Sequence, residues 1–221
     1  MDIKHKIKAV IFDMDGLMID SEPYHQKAFD QVLKKYGSTL NIEENNAYVG
    51  LGDTAAAIDI ISRKKLQITV EDLLAQKESV YLELLQSSIT ANEGLLDLLI
   101  FLKRNTILSA IASGSSVTEI EAVIKHLHID TYFSFYCSST QVPKRKPAPD
   151  IFLYAAEHLG VSPSECVVLE DAPSGLQAGK AANIPVIIVP SNETKDKDFS
   201  TADHIASSLC DVPELLTKYY L

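Results

Sequence analysis

Two textures alternate along the chain: short apolar runs that end abruptly in polar residues, and longer stretches in which apolar residues recur every three or four positions. The first run, residues 8–12 (KAVIF), is rich in β formers and stops at Asp13-Met14-Asp15-Gly16. This pattern predicts a buried strand feeding a loop. From 22 to about 87 the period is helical, with Phe29, Val32, Leu33 and Tyr36, then Ile58 and Ile61, then Leu73, Leu74, Tyr81, Leu84 and Leu85. Gly37-Ser38 and Gly50-Leu51-Gly52-Asp53 interrupt it, so the stretch predicts several helices in a row.

Beyond residue 92 the two textures interleave. Helices are predicted over 95–103, 117–127, 150–159 and 174–182, and strands over 107–112, 133–137, 166–169 and 185–189. Strands alternating with helices predict an α/β fold: a mostly parallel sheet with helices on both faces. The helical stretch sits between the first strand and the rest, so it reads as an insertion. The expected division is 1–17 with 92–221 for the sheet domain and 18–91 for the small all-helical one.

Composition narrows the function classes. Apolar residues make up 46% of the 221 positions, enough for a sizeable core. Thirty acidic against twenty basic side chains leave a net charge of −10, which argues against a nucleic-acid partner. No run approaches the roughly 18 apolar residues of a membrane helix. The apolar run after Lys4, Lys6 and Lys8 is broken at Asp13, too early for a signal-peptide core. Cys137, Cys166 and Cys210 are widely spaced with no CxxC pair, which reads as three reduced thiols. A cytoplasmic monomer with no membrane partner is the plain expectation.

The chemistry should lie where the strands end, because ligands of open α/β sheets bind beyond the carboxyl ends of their strands. One strand ends in Asp13 and Asp15, another in Ser113 and Gly114, a third in Glu170 and Asp171. A parallel sheet brings these ends together. Four carboxylates in one cleft repel one another and call for a compensating cation. Oxygen-only donors with no nearby His or Cys suit Mg²⁺ rather than zinc. Ser113-Gly114-Ser115-Ser116 opens a helix directly after a strand, where free amides and hydroxyls form an anion cradle. Lys146 precedes Pro147, whose fixed φ stiffens the loop. An anion cradle, a lysine and Mg²⁺ are what a transferring phosphoryl group needs. A carboxylate can attack phosphorus, and a second acid two residues on can protonate the leaving alcohol. Each piece alone is weak, since DxD pairs and Ser-rich turns usually serve as solvated turns or helix caps. Their joint order at strand ends is what carries the reading.

Four segments together resemble the haloacid dehalogenase (HAD) superfamily, in its phosphatase and β-phosphoglucomutase-like branch with a helical cap. They are Asp13-Met-Asp-Gly-Leu-Met-Ile-Asp-Ser-Glu-Pro, Ala112-Ser-Gly-Ser-Ser, Lys146-Pro-Ala-Pro-Asp-Ile-Phe and Leu169-Glu-Asp-Ala-Pro-Ser-Gly-Leu-Gln-Ala-Gly. The resemblance implies a Rossmann-like core with a cap inserted after strand one. It implies Asp13 as nucleophile and Mg²⁺ ligand, and Asp15 as acid/base, with its carbonyl on the metal. Ser113 and the Gly114 amide would hold phosphoryl oxygens, and Lys146 would neutralise charge. Asp171 would bind Mg²⁺, with Glu170 either ligating it or holding a ligand in place. His25 and Lys77 match cap positions that contact substrate in sugar-phosphate mutases. The expected activity is Mg²⁺-dependent hydrolysis of small phosphate monoesters, sugar or nucleoside phosphates, with a phosphomutase as the alternative.

The chain departs from the family pattern in three places. Gly50-Leu51-Gly52-Asp53 lacks the basic residue that would hold a second phosphate, which favours the phosphatase. Arg145 replaces a Gly, which would be strained if that position needed a special backbone angle. Ala91-Asn92-Glu93-Gly94 replaces the usual Pro-Gly turn at the second hinge.

Overall fold

A computed structural model describes residues 6–48 and 53–221; Gly50, Leu51 and Gly52 of the interrupting loop lie outside the described residues. The chain divides into two compact units, Met1–Asp20 with Thr90–Leu221, and Ser21–Ile89. The divisions fall three residues after and two residues before the expected ones. Ile19 bridges to both Asp15 and Ala91, which ties residues 18–20 and 90–91 to the sheet unit.

In the sheet unit, the described residues form one six-stranded parallel sheet in the order β3-β2-β1-β4-β5-β6. The strands are β1 (Ala9–Phe12), β2 (Leu108–Ser113), β3 (Phe135–Ser138), β4 (Cys166–Glu170), β5 (Val186–Ile188) and β6 (His204–Ile205). β1, β4 and β5 are buried throughout, which is why they read as continuous apolar runs rather than alternating ones. The sheet unit also holds α5 (Leu95–Arg104), α6 (Val117–His126), α7 (Asp150–Leu159), α8 (Pro173–Ala181) and α9 (Val212–Tyr219). Ala9, Ile11, Ala112, Val168, Val186 and Ile188 pack with Ile151, Phe152 and Ala155 of α7 and with Leu176 and Ala178 of α8. α5 contacts β2 and α9, and α6 contacts β3.

From β1 the chain steps outward through β2 to β3, then returns to pair β4 on the other side of β1. The reversal lies between β1 and its neighbours, the point where such sheets open a crevice at their carboxyl ends. Register makes the convergence concrete. Phe12 is level with both Ile111 and Leu169, so Asp13, Ala112 and Glu170 follow at the same height. The Asp13 amide donates to the Leu169 carbonyl at 2.9 Å.

The second unit is helical: α1 (Glu22–Lys34), α2 (Ile42–Asn46), α3 (Asp53–Lys64) and α4 (Val70–Ser87). α4 packs against α1 and α3. Phe29, Val32 and Leu33 of α1 and Leu73, Tyr81 and Leu85 of α4 are buried at helical spacing. Thr69 caps α4 by accepting from the Asp72 amide at 3.1 Å. Among the described residues no helix is long and apolar enough to cross a membrane. Cys137 and Cys166 are buried, Cys210 is exposed, and none is in a disulfide. Burial pushes the Cys137 and Cys166 thiols up to about 12, so they pack as inert groups.

Candidate active site

The carboxyl ends of β1 and β4 place Asp13, Glu170 and Asp171 together, all buried, with one carboxylate oxygen from each within 4.8 Å of the others. Lys146 enters from the loop before α7, across a cis bond to Pro147. Its ammonium donates to Asp13 Oδ1, to Glu170 Oε1 at 2.7 Å and to the Ala112 carbonyl at 3.0 Å. The Phe152 ring of α7 lies 4.8 Å beneath it. Glu170 Oε2 accepts from the Asp171 and Ala172 amides, both at 3.0 Å. Glu170 is therefore committed on both oxygens.

Two glycines make these positions possible. A Cβ at Gly175 of α8 would stand 1.7 Å from Glu170 Oε1, so the acid lies against bare helix backbone. A Cβ at Gly16 would stand 2.2 Å from Asp171 Oδ2, and Gly16 holds φ +83°, a left-handed angle that favours glycine. Neither role was foreseen from sequence. The signal was the glycine five residues after Glu170, on the first turn of the next helix.

Crowding sets the electrostatics. Burial, the largest cause, pushes the Asp13 carboxyl well above its ordinary range; Lys146 pulls it down, while Glu170, Asp15 and Asp171 push it further up. Burial and then the charge of Glu170 push Asp171 up to about 7, against a hydrogen bond with Ser191 and the charge of Lys146. Burial opposes the charge of Lys146, but Asp13 and Glu170 outweigh it and hold the ammonium above the usual lysine range. One lysine does not balance this many carboxylates. The donor set, hard oxygens with excess negative charge, fits a divalent cation.

Asp15 stands apart from the cluster. Its Oδ2 accepts from Ser115 Oγ at 2.6 Å and from Ser113 Oγ at 3.2 Å, while its buried Oδ1 has no hydrogen-bond partner among the described residues. The hydroxyl of Ser113, expected on a phosphoryl oxygen, is here turned to Asp15. Ser139 Oγ donates to the Gly114 carbonyl at 3.0 Å, and the Gly114 Cα faces open space. Ser116 is the N-cap of α6, in a capping box with Glu119.

His25 and Lys77 meet within the helical unit. The Lys77 ammonium, almost wholly buried, donates to His25 Nδ1 at 2.7 Å and to Asp53 Oδ2 at 2.6 Å. It lies 4.6 Å from the Tyr81 ring centre, and His25 stacks on that ring at 4.0 Å. Sequence reasoning named His25 and Lys77 as separate substrate contacts and foresaw neither their contact with each other nor Asp53 as the counter-ion. Arg145 is not among the described residues with left-handed backbone, so it carries no such strain.

A family model for haloacid dehalogenase-like hydrolases matches residues 10–189. The chain belongs to the haloacid dehalogenase-like hydrolase family. The hydrolase is 31% identical over 215 residues to the probable pseudouridine-5'-phosphatase of Drosophila melanogaster, covering 95% of this chain and 93% of that one. It is 34% identical over 182 residues to the fructose-1-phosphate phosphatase YqaB of Escherichia coli K12, covering 81% and 95%. Among solved structures it resembles a β-phosphoglucomutase from Clostridium difficile, with TM-score 0.76, 27% identity and 97% of each chain covered.

Proposed function

We propose that this hydrolase is a Mg²⁺-dependent phosphatase of small phosphate monoesters, sugar or nucleoside phosphates, working through an aspartyl-phosphate at Asp13. The observation that carries the reading is the placement of Asp13 at the end of β1, paired with Lys146 and beside Glu170 and Asp171. Asp13 and Asp171, with the Asp15 carbonyl, are the residues that would hold the ion; Glu170 supports them and fixes Lys146. When bound, the ion supplies positive charge that keeps these carboxylates ionised and draws density from a phosphoryl oxygen.

Asp13 attacks phosphorus and forms an acyl phosphate as the bond to the leaving oxygen breaks. Asp15 gives that oxygen its proton, then takes one from the water that attacks the same phosphorus and frees Asp13. Lys146, with Ser113 and the Gly114 amide, offsets charge on the phosphoryl oxygens. The helical unit Ser21–Ile89 enters the proposal as the cap, and with it His25 and Lys77 as polar groups that select the leaving group. No nucleic acid, no membrane, a monomeric state and a cytoplasmic setting belong to the same proposal.

The resemblance to a β-phosphoglucomutase favours a phosphomutase as the second reading. Against it, Gly50-Leu51-Gly52-Asp53 carries no basic residue to hold a second phosphate. The test is phosphate release from a panel of sugar and nucleoside monophosphates, with Mg²⁺ and with a chelator. Metal-dependent release that Asp13→Asn abolishes is the expected result. No release, with interconversion of glucose 1-phosphate when a bisphosphate primer is added, would replace the phosphatase by the mutase.

A further inference from the structure

Ser115 belongs to the turn read as an anion cradle and has no step of its own above, yet its hydroxyl makes the shorter of the two contacts to Asp15. Ser115 Oγ donates to Asp15 Oδ2 at 2.6 Å, and Ser113 Oγ donates to the same oxygen at 3.2 Å. Asp15 Oδ1 is buried and has no partner among the described residues. The two oxygens of one carboxylate are thereby made unequal. Oδ2 is held by the Ser115 hydroxyl, and by that of Ser113 until a phosphoryl oxygen claims it, which leaves Oδ1 as the oxygen able to carry and pass a proton. Ser115 is itself held in place. Its amide donates to Ser113 Oγ at 3.0 Å, and it directly precedes Ser116, the N-cap of α6.

We propose that Ser115 is a positioning residue for proton transfer: it grips Asp15 through Oδ2 so that Oδ1 delivers the proton to the leaving oxygen. The proposal rests on the reading of Asp15 as the acid. It has a consequence that a merely structural role for Ser115 lacks. An alkoxide leaves only with a proton, whereas p-nitrophenolate leaves without one, so only the alkyl ester should depend on Ser115.

The experiment compares kcat/KM, which reports the steps up to leaving-group departure, for fructose 1-phosphate and p-nitrophenyl phosphate. Wild type, Ser115→Ala, Ser115→Thr and Asp15→Asn are measured side by side. Ser115→Ala is expected to lose about 10- to 100-fold on fructose 1-phosphate, within the range of general acid catalysis, and less than about twofold on p-nitrophenyl phosphate. Ser115→Thr, which keeps the hydroxyl, should restore the alkyl ester. Equal losses on both esters, or no loss on either, would overturn the proposal. If Asp15→Asn spares fructose 1-phosphate, the reading of Asp15 as the acid fails and the proposal goes with it. Selective loss in Asp15→Asn with none in Ser115→Ala removes Ser115 alone.

Discussion

Gly175 shows how far one missing side chain determines a charged site. Replacing glycine by alanine inside a helix ordinarily stabilises by about 0.5–1 kcal/mol. Here the added methyl would overlap the Glu170 carboxylate, so the sign should reverse. Gly175→Ala is expected to destabilise by about 1–3 kcal/mol, as overpacked sites do, and to lower kcat/KM at least tenfold by moving the partner of Lys146. Denaturant unfolding and steady-state kinetics on the same preparation check both halves. At Asp13 the opposite pattern is expected: Asp13→Asn should abolish turnover while leaving the unfolding midpoint near that of wild type. That Asp13, Glu170 and Asp171 would lie together was legible in the sequence because strand ends converge in any parallel sheet; Lys146, on the loop before α7, was legible only through its motif. The hold of Ser113 and Ser115 on Asp15 was not, because it joins positions about a hundred residues apart through rotamers that no spacing encodes.

Elements were legible in proportion to the length of their pattern. The helix predicted over 150–159 is α7, with the same ends, and 95–103 falls one residue short of α5. Seven apolar or aromatic residues in ten, with Gly160 closing the end, leave little latitude there. β6 escaped because two residues have no period to detect. α9 buries only Val212 and Leu216, and its one clear signal was Pro213 at its start. In the helical unit α2 and α4 begin at side-chain caps, Asn41 and Thr69, which apolar period does not mark. Thr69 is the test case, since its hydroxyl supplies the side-chain cap of an eighteen-residue helix. Thr69→Ala is expected to cost about 1 kcal/mol, read as a shift in the denaturant midpoint at unchanged slope.

At the scale of the molecule, the sheet unit brings residues 13, 113 and 170 to one end of the sheet because β1 lies between β2 and β4, and Lys146 reaches them from the loop before α7. On the proposed reading, the excess of buried negative charge there would make metal dependence the property of the whole arrangement rather than of one ligand. Removing divalent ions with a chelator should abolish phosphate release, and Mg²⁺ should restore it. The central claim is that Asp13 becomes covalently phosphorylated. The measurement that meets it most directly is borohydride reduction of enzyme quenched during turnover, followed by peptide mass spectrometry. Reduction of an aspartyl-phosphate leaves homoserine, so the account predicts homoserine at position 13 when substrate and Mg²⁺ are present and none in chelator. Steady turnover with position 13 unmodified, or with another residue carrying the phosphoryl group, would contradict it.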